Sequence, residues 1–188
     1  KELLKNTDEF LTLSGKVVLY FNQHMHQLRL IGIGLAAIAV LYLSVWGYMK
    51  HTNKKGQAAY NVAYDALVQS LQSEETDEEG MKKSEGLFEA VINDYGMSRA
   101  ADLALAQVGH AKFTNKQYDE AIDYYQEFSN KASGNEAYKT LTLLGLAACY
   151  EAKGDMKEAV SILDGIIKAS DNPFRENAML DLERVYRL

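Results

Sequence analysis

The sequence predicts an all-α protein in which one transmembrane helix is followed by a short α-solenoid of helical repeats. Only one proline occurs among 188 residues, so few positions would interrupt a helix. A long uncharged stretch lies near the N-terminus, and further on a small residue followed by a large one recurs at a nearly fixed interval. The predicted organisation is an amphipathic N-terminal segment at 1–27, a transmembrane helix at 28–50 and a helical repeat domain at 51–188.

The uncharged stretch runs from Leu30 to Met49, between Arg29 and Lys50. A helix of this length spans about 30 Å, which matches the hydrocarbon core of a bilayer. Aromatic side chains gather toward its second end, as they do where rings meet lipid headgroups: Tyr42, Trp46 and Tyr48. A buried core helix would carry a polar face, and a signal peptide would have a shorter apolar region. The stretch therefore predicts a spanning helix.

Two small residues in this helix, Gly32 and Ala36, have the spacing that lets a second membrane helix approach closely. Glycine and alanine are also common in membrane helices that make no such contact. A membrane helix contact at Gly32 and Ala36 is therefore a hypothesis.

The segment before the span has a helical pattern of its own. Asn6 and Glu9 have the spacing of a capping box, and apolar residues then recur on one face: Phe10, Leu13, Val17 and Phe21. An amphipathic helix of this kind lies in the membrane interface or packs on a partner protein. The spacing favours neither alternative.

Charge is unevenly distributed along the chain. The formal net charge is −6, but residues 1–56 carry +4 and residues 57–188 carry −10. A strongly acidic domain repels phosphate backbones, so we expect no nucleic-acid partner. Basic residues flank both ends of the apolar stretch, so charge alone does not determine the orientation in the membrane.

The recurring pair joins a small residue to a large one four positions later. Ala121 and Ala159 begin two such pairs 38 residues apart, and Ser84 begins another 37 residues before Ala121. The large members are Phe88, Tyr125 and Leu163. This spacing predicts antiparallel helix pairs in which small residues let the backbones approach. A helical bundle without repeats is the alternative, but three agreements in spacing favour repeats.

The pattern resembles the tetratricopeptide repeat, W-x2-L-G-x2-Y, then A-x3-F, then P. The middle unit has Gly109 at the glycine position and departs from the pattern with Leu105 in place of Trp and Lys112 in place of Tyr. The next unit keeps Tyr150 and ends at Pro173. The resemblance implies a TPR-like α-solenoid.

The outer units are more divergent. The first opens with a helix that carries Tyr60, Tyr64, Leu67 and Leu71. We expect an acidic, solvated loop at 73–80 to follow it, and a short insertion at 133–136 to lengthen the repeat beyond its usual 34 residues. After Pro173 the first helix of another unit is expected, with Met179, Leu182, Glu183 and Tyr186.

The span and the repeats together resemble one bacterial group, the YfgM-like tetratricopeptide repeat proteins. The resemblance covers nearly the whole chain, through "DEFLTLSGKVV" at 8–18, "WGYMKHTNKKGQAAYNVAYDALV" at 46–68 and the degenerate repeats. It implies a single-pass protein of the bacterial inner membrane, with its N-terminus in the cytoplasm and its TPR domain in the periplasm. It also implies an accessory role at the Sec translocon, linked to periplasmic chaperones.

The sequence contains no motif of a catalytic nucleophile, a phosphate-binding loop or a zinc site. We predict no enzyme activity, no cofactor, no bound metal and no small-molecule substrate. His24 and His26 would point to different sides of a helix, and with His51 they fit interfacial histidines better than haem ligands. Cys149 occupies a small position between helices, which predicts a buried structural thiol.

Repeat proteins of this kind bind partners along the concave face that the first helices of the units form. Projecting the repeat register assigns eight residues to this face: Leu103, Ala106, His110, Phe113, Leu141, Leu144, Ala148 and Glu151. None is cationic apart from a protonated His110, which disfavours capture of a peptide carboxylate. A groove of this composition suits a helix or a hydrophobic segment, from a partner or from the chain's own terminal helix.

The leading hypothesis is a membrane-anchored adaptor for protein–protein interaction, accessory to the Sec translocon and periplasmic chaperones. The alternative is a structural or accessory subunit of a larger membrane complex, such as a respiratory or transport complex. Both hypotheses predict protein partners in or at the membrane and contact with the lipid bilayer.

Overall fold

The computed structural model describes residues 24–72, 77–131, 136–169 and 172–187. Within these residues the chain forms seven α-helices and no strand, which confirms the predicted all-α class. The helices are α1 (Met25–Gln72), α2 (Glu78–Asp94), α3 (Arg99–Thr114), α4 (Tyr118–Lys131), α5 (Glu136–Lys153), α6 (Met156–Lys168) and α7 (Arg175–Arg187). The amphipathic helix expected around Phe10 to Phe21 lies outside the described residues.

The chain divides into two compact units, Lys1–Tyr48 and Met49–Leu188. In the first unit, the described part of α1 is strongly apolar, and none of the residues in its most apolar window is buried. By length and composition, α1 is the one helix of the described residues that could cross a membrane. A signal sequence near an N-terminus has the same two properties.

In the second unit, side chains from consecutive helices form three buried clusters. The first joins Ala63 of α1 and Phe88 of α2 to an alanine-rich face of α3. The second joins Ala121 and Tyr125 of α4 to α5, and the third joins α5 and α6 to Ala178 and Val185 of α7. Small residues at the helix crossings bring the backbones close, so each helix buries apolar area against the next one.

The start of α2 corrects the loop predicted at 73–80. Residues 78–80 already belong to the helix, because the carboxylate of Asp77 accepts a hydrogen bond from the backbone N–H of Gly80 at 2.8 Å. Glu78 and Glu79 then lie in the first helical turn, where negative charge is favourable against the helix dipole. Of the acidic residues expected in a solvated loop, Glu78 and Glu79 therefore start a helix, whereas residues 73–76 lie outside the described residues.

The turns that join the two central helix pairs, α3–α4 and α5–α6, have the same hydrogen bonding. The backbone N–H of Gln117 donates to the carbonyl of Lys112, and that of Asp155 donates to the carbonyl of Tyr150, both at 2.9 Å. The residue before each donor has positive φ, +60° at Lys116 and +85° at Gly154. This is the Schellman ending of a helix. Lys116 and Gly154 are 38 residues apart, the same interval as Ala121 and Ala159, so the backbone follows the predicted repeat.

A matched pair of substitutions tests this turn. Lys116→Gly is expected to raise the free energy of unfolding by about 1 kcal/mol, because glycine adopts positive φ without steric cost. Gly154→Ala is expected to lower it by about 1 kcal/mol for the converse reason. Urea unfolding of the full chain in mild detergent, followed by circular dichroism, measures both. Effects of the same sign would show that the two turns are not equivalent.

Candidate partner-binding surface

The ring of Tyr125 sets the distance between neighbouring first helices. A Cβ atom built on Gly109 of α3 would lie 2.9 Å from Cδ1 and Cε1 of this ring, and one built on Gly145 of α5 would lie 2.9 Å from its Cζ. Tyr125 itself is buried in α4. Two glycines therefore admit one aromatic ring between α3 and α5, and this contact fixes the floor of the surface that the two helices share.

Ion pairs of Lys112 in α3 link this helix to both α2 and α4. Nζ of Lys112 lies 2.8 Å from Oε1 of Glu85 in α2 and 3.0 Å from Oε2 of Glu120 in α4, with Glu89 at 3.7 Å. The side chains of Lys112 and Glu85 are only 13% and 12% exposed. The hydrogen bond to Glu85 raises the pKa of Lys112 above its usual range, although burial acts in the opposite direction.

The eight residues predicted for the concave face all retain some exposure in the structure. Leu141 is 47% exposed and His110 is exposed, whereas Leu103 and Ala106 are half-buried. Phe113 and Leu144 also pack against the buried clusters of α4–α5 and α5–α7. These last two positions therefore serve the core as well as the surface.

Three of the eight residues come together. Phe113, Ala148 and Glu151 line an open hollow of about 380 Å³, together with Ala152 and Arg184. The hollow lies where α3, α5 and α7 meet. Its lining combines an aromatic ring, two methyl groups and one ion pair, which suits an apolar side chain of a partner with a polar group beside it.

The ion pair at this hollow joins α5 to α7. Nε of Arg184 donates to Oε1 of Glu151 at 2.8 Å, and Nη2 donates to Oε2 at 2.7 Å. Nη1 of Arg184 also donates to Asp181 at 2.8 Å. A bidentate pair of this kind is both directional and strong for a surface interaction. The chain's own terminal helix therefore supplies part of the predicted face.

The pair makes stability depend on pH. The hydrogen bond from Arg184 lowers the pKa of Glu151, against an opposing effect of burial. Because the folded pKa is below the unfolded value, the pair stabilises the fold above the unfolded pKa and stops doing so as pH falls through the folded pKa. Glu151→Gln is expected to cost about 1 kcal/mol at neutral pH and almost nothing in strong acid. Urea unfolding at both pH values measures this, with exposed Glu176→Gln as the control. An equal loss at both pH values would contradict the assignment.

His110 belongs to a different hollow. With Leu67 and Leu71 of α1 and Phe88 of α2, it lines a smaller depression of about 170 Å³. Nearby, Nε2 of Gln107 donates to the hydroxyl of Tyr60 at 3.4 Å. The predicted face is thus divided between a hollow beside α1 and a hollow beside α7.

The remaining predicted residues have simple surroundings. Gly32 and Ala36 are both exposed in α1, where the hypothesis of a second membrane helix stays a prediction. Nδ1 of His24 lies 3.1 Å from Oε1 of Gln27. Cys149 is buried as predicted, and burial raises its thiol pKa to about 11. No group of three or more metal-ligating side chains converges in the part of the chain that the structure describes.

The comparison with protein families decides the identity of this fold. A model described as a tetratricopeptide repeat-like domain matches residues 21–178. The chain belongs to this tetratricopeptide repeat-like family. The matched region begins before the apolar stretch and ends within α7. No curated protein matches the sequence significantly.

Solved structures share the TPR-like architecture. Two crystal structures of the nearly identical TPR-like repeats of a candidate kinesin light chain from Podosopora anserina, one of them a variant with a single substitution, both match with a TM-score of 0.52 and 18% identity. The alignments cover 73% and 74% of this chain, and 68% of each of those chains. The predicted TPR-like α-solenoid is thereby confirmed. TPR-like folds are typically scaffolds for protein interaction.

Sequence reasoning missed two residues of this TPR-like surface. Gly145 could have been found, because a glycine inside a helical stretch costs about 1 kcal/mol relative to alanine and so indicates a close contact. Arg184 carries no such signal, since its partner Glu151 lies on another helix. Only the packing of α7 shows that the two side chains meet.

Proposed function

We propose that this protein is a membrane-anchored adaptor that presents its TPR-like domain to protein partners. Residues 1–27 form its N-terminal segment, 28–50 its transmembrane helix and 51–188 its repeat domain. It lies in the bacterial inner membrane with the N-terminus in the cytoplasm and the TPR domain in the periplasm, where it acts as an accessory to the Sec translocon and periplasmic chaperones.

The observation that carries the adaptor proposal is the hollow beside α7. It brings Phe113, Ala148 and Glu151 from two predicted first helices to one place, and Leu141 lies two helical turns before Ala148 on the same face of α5. Leu141 is 47% exposed although it is apolar. A partly exposed apolar surface on a repeat protein suits a helix or a hydrophobic segment of a partner.

The proposal of a membrane anchor is based on α1. The proposal of specific partners is based on the family resemblance. No residue in the apolar window of α1 is buried inside the protein, so the surface of this helix can contact lipid. The translocon and the chaperones follow from the resemblance to the YfgM-like proteins, together with the orientation in the inner membrane.

Photo-crosslinking from single positions in the full chain tests the adaptor surface. A benzoylphenylalanine at Leu141 should capture partners in native membranes, whereas the same probe at Tyr186 should not. Tyr186 is a suitable control because it is 70% exposed and lies on the far side of α7 from Arg184. Charged substitutions at Phe113 or Leu144 would be poor tests, since both residues support the core.

The captured proteins distinguish the hypotheses. Translocon subunits and periplasmic chaperones captured from Leu141 alone would support the adaptor at the Sec machinery. Equal capture from Leu141 and Tyr186 would show that the concave face is not the binding surface. Purification in fixed stoichiometry with other membrane subunits would instead favour a structural subunit of a larger complex.

A further inference from the structure

The turn between α2 and α3 forms one edge of the repeat domain. This edge contacts α1 only a few residues after the apolar stretch ends. The backbone N–H of Arg99, the first residue of α3, donates to Oδ1 of Asn53 in α1 at 3.0 Å. A Cβ atom built on Gly56 would lie 3.0 Å from Cβ of Ser98. Asn53 and Gly56 follow Met49 by about 6 and 10 Å of helix. The turn between α2 and α3 therefore lies within about 10 Å, along the helix axis, of the last apolar residue.

This edge combines an exposed apolar side chain with three basic side chains, and it carries one exposed carboxylate, that of Asp94 at the end of α2. Met97 in the turn is 65% exposed. Arg99, two residues further along the chain, is also exposed, and so are Lys54 and Lys55, which follow Asn53 in α1. Of the ion pairs seen among the described residues, none involves Lys54, Lys55 or Arg99. Of these three residues, Arg99 lies within residues 57–188, whose net charge is −10, whereas Lys54 and Lys55 belong to residues 1–56, whose net charge is +4.

The opposite edge has no comparable excess of positive charge. Because α1 and α3 run parallel, from the Asn53–Arg99 contact to the Tyr60–Gln107 contact, the antiparallel helices begin at the far edge. The acidic residues in the first turns of α2 and α4 there are matched by lysines: Glu78 and Glu79 lie one turn before the exposed Lys82 and Lys83, Asp119 pairs with Lys153, and Glu120 pairs with Lys112. Charge therefore favours approach to an anionic membrane through the edge at Met97, where exposed basic residues are in excess.

We propose that the edge formed by Met97, Lys54, Lys55 and Arg99 rests on the headgroups of anionic phospholipids. The three basic side chains bind lipid phosphates, and Met97 enters the interface between headgroups and acyl chains. Each lysine or arginine near an anionic surface strengthens binding about fivefold. The inference rests on the proposed membrane anchor and adds that the TPR-like domain itself contacts the lipid.

A fluorescent probe at position 97 tests this contact in the full chain. The Met97→Cys protein is labelled at neutral pH with an environment-sensitive dye, which spares Cys149 because that thiol is buried and its pKa is raised to about 11. It is then reconstituted into vesicles of phosphatidylcholine, with or without phosphatidylglycerol. We expect quenching by nitroxide-labelled lipid in the anionic vesicles, and no quenching of a dye at Leu180→Cys, a 66% exposed position on α7.

Charge reversals supply the matched controls. Lys54→Glu, Lys55→Glu and Arg99→Glu together should abolish the quenching at position 97, and high salt should weaken it. The same number of reversals at Lys82, Lys83 and Lys157, which are exposed elsewhere on the domain, should leave it unchanged.

Two outcomes would overturn the inference in different ways. If the chain stays with the vesicles after alkaline extraction but the dye at position 97 is not quenched, or is quenched equally without phosphatidylglycerol, the lipid contact is wrong and the anchor stands. If the chain is extracted from the vesicles, the anchor is wrong and the lipid contact falls with it.

Discussion

Replacing Tyr125 with alanine is expected to lower the free energy of unfolding of the repeat domain by about 3–5 kcal/mol. The ring is buried against glycines of two different helices, so its removal leaves a cavity that α3 and α5 cannot both close. Tyr186→Ala is the control, because this ring is 70% exposed and surface substitutions cost about 0.5 kcal/mol or less.

Urea unfolding of the full chain in mild detergent, followed by circular dichroism, measures both variants. A second substitution tests the same contact from the other side. Gly109→Val should destabilise the wild type by about 2 kcal/mol through overpacking, but should cost less in the Tyr125→Ala background, where the cavity accepts the new methyl groups. If the two substitutions prove additive, or if Tyr125→Ala costs no more than Tyr186→Ala, the ring does not set the helix spacing.

The second large effect is expected from Lys112→Met, which should cost about 2 kcal/mol. This is less than the roughly 3–5 kcal/mol typical of breaking a fully buried pair, because Glu120 is 52% exposed. The loss comes mainly from leaving Glu85 nearly buried without its cation. Adding Glu85→Gln should recover part of the stability, since an amide tolerates burial better than an isolated carboxylate.

Unfolding measured at alkaline pH tests whether the positive charge of Lys112 stabilises the fold. The folded pKa of Lys112 is raised above its unfolded value, so its contribution is complete below the unfolded pKa of about 10.4 and is lost as pH rises through the folded pKa. The difference between wild type and Lys112→Met should therefore be constant from neutral pH to about pH 10. Lys153→Met, which breaks an exposed pair with Asp119, should have a much smaller effect. A difference that disappears already near neutral pH would contradict this role of Lys112.

The helical repeats could be predicted because their signals are local. Gly109, Ala121 and Ala159 recur with the spacing that close helix packing requires, and the structure places all three in buried positions. The start of α2 was misplaced because acidic residues look alike in a loop and in a first helical turn. The difference lies in one hydrogen bond, from Gly80 to Asp77, which composition does not reveal.

The surface was harder to predict than the fold because its residues meet only through tertiary packing. The sequence shows that Lys112 departs from the repeat pattern. It does not show the ion-pair partners of Lys112, because Glu85 and Glu120 lie on the two neighbouring helices. The register assigned Glu151 to the concave face, and nothing local indicated that Arg184 would pair with it. Interactions between distant parts of the chain decide which of the projected positions remain available to a partner.

The position of the Tyr125 ring couples the unfolding of neighbouring repeats in the solenoid. In an array of repeats, stability is a sum of intrinsic terms and nearest-neighbour terms, and the neighbour terms set the cooperativity of unfolding. Because one ring contacts Gly109 in its own unit and Gly145 in the next, unfolding of that next unit would expose a side chain on which the middle unit also depends. The two central helix pairs should therefore unfold and refold as one cooperative block.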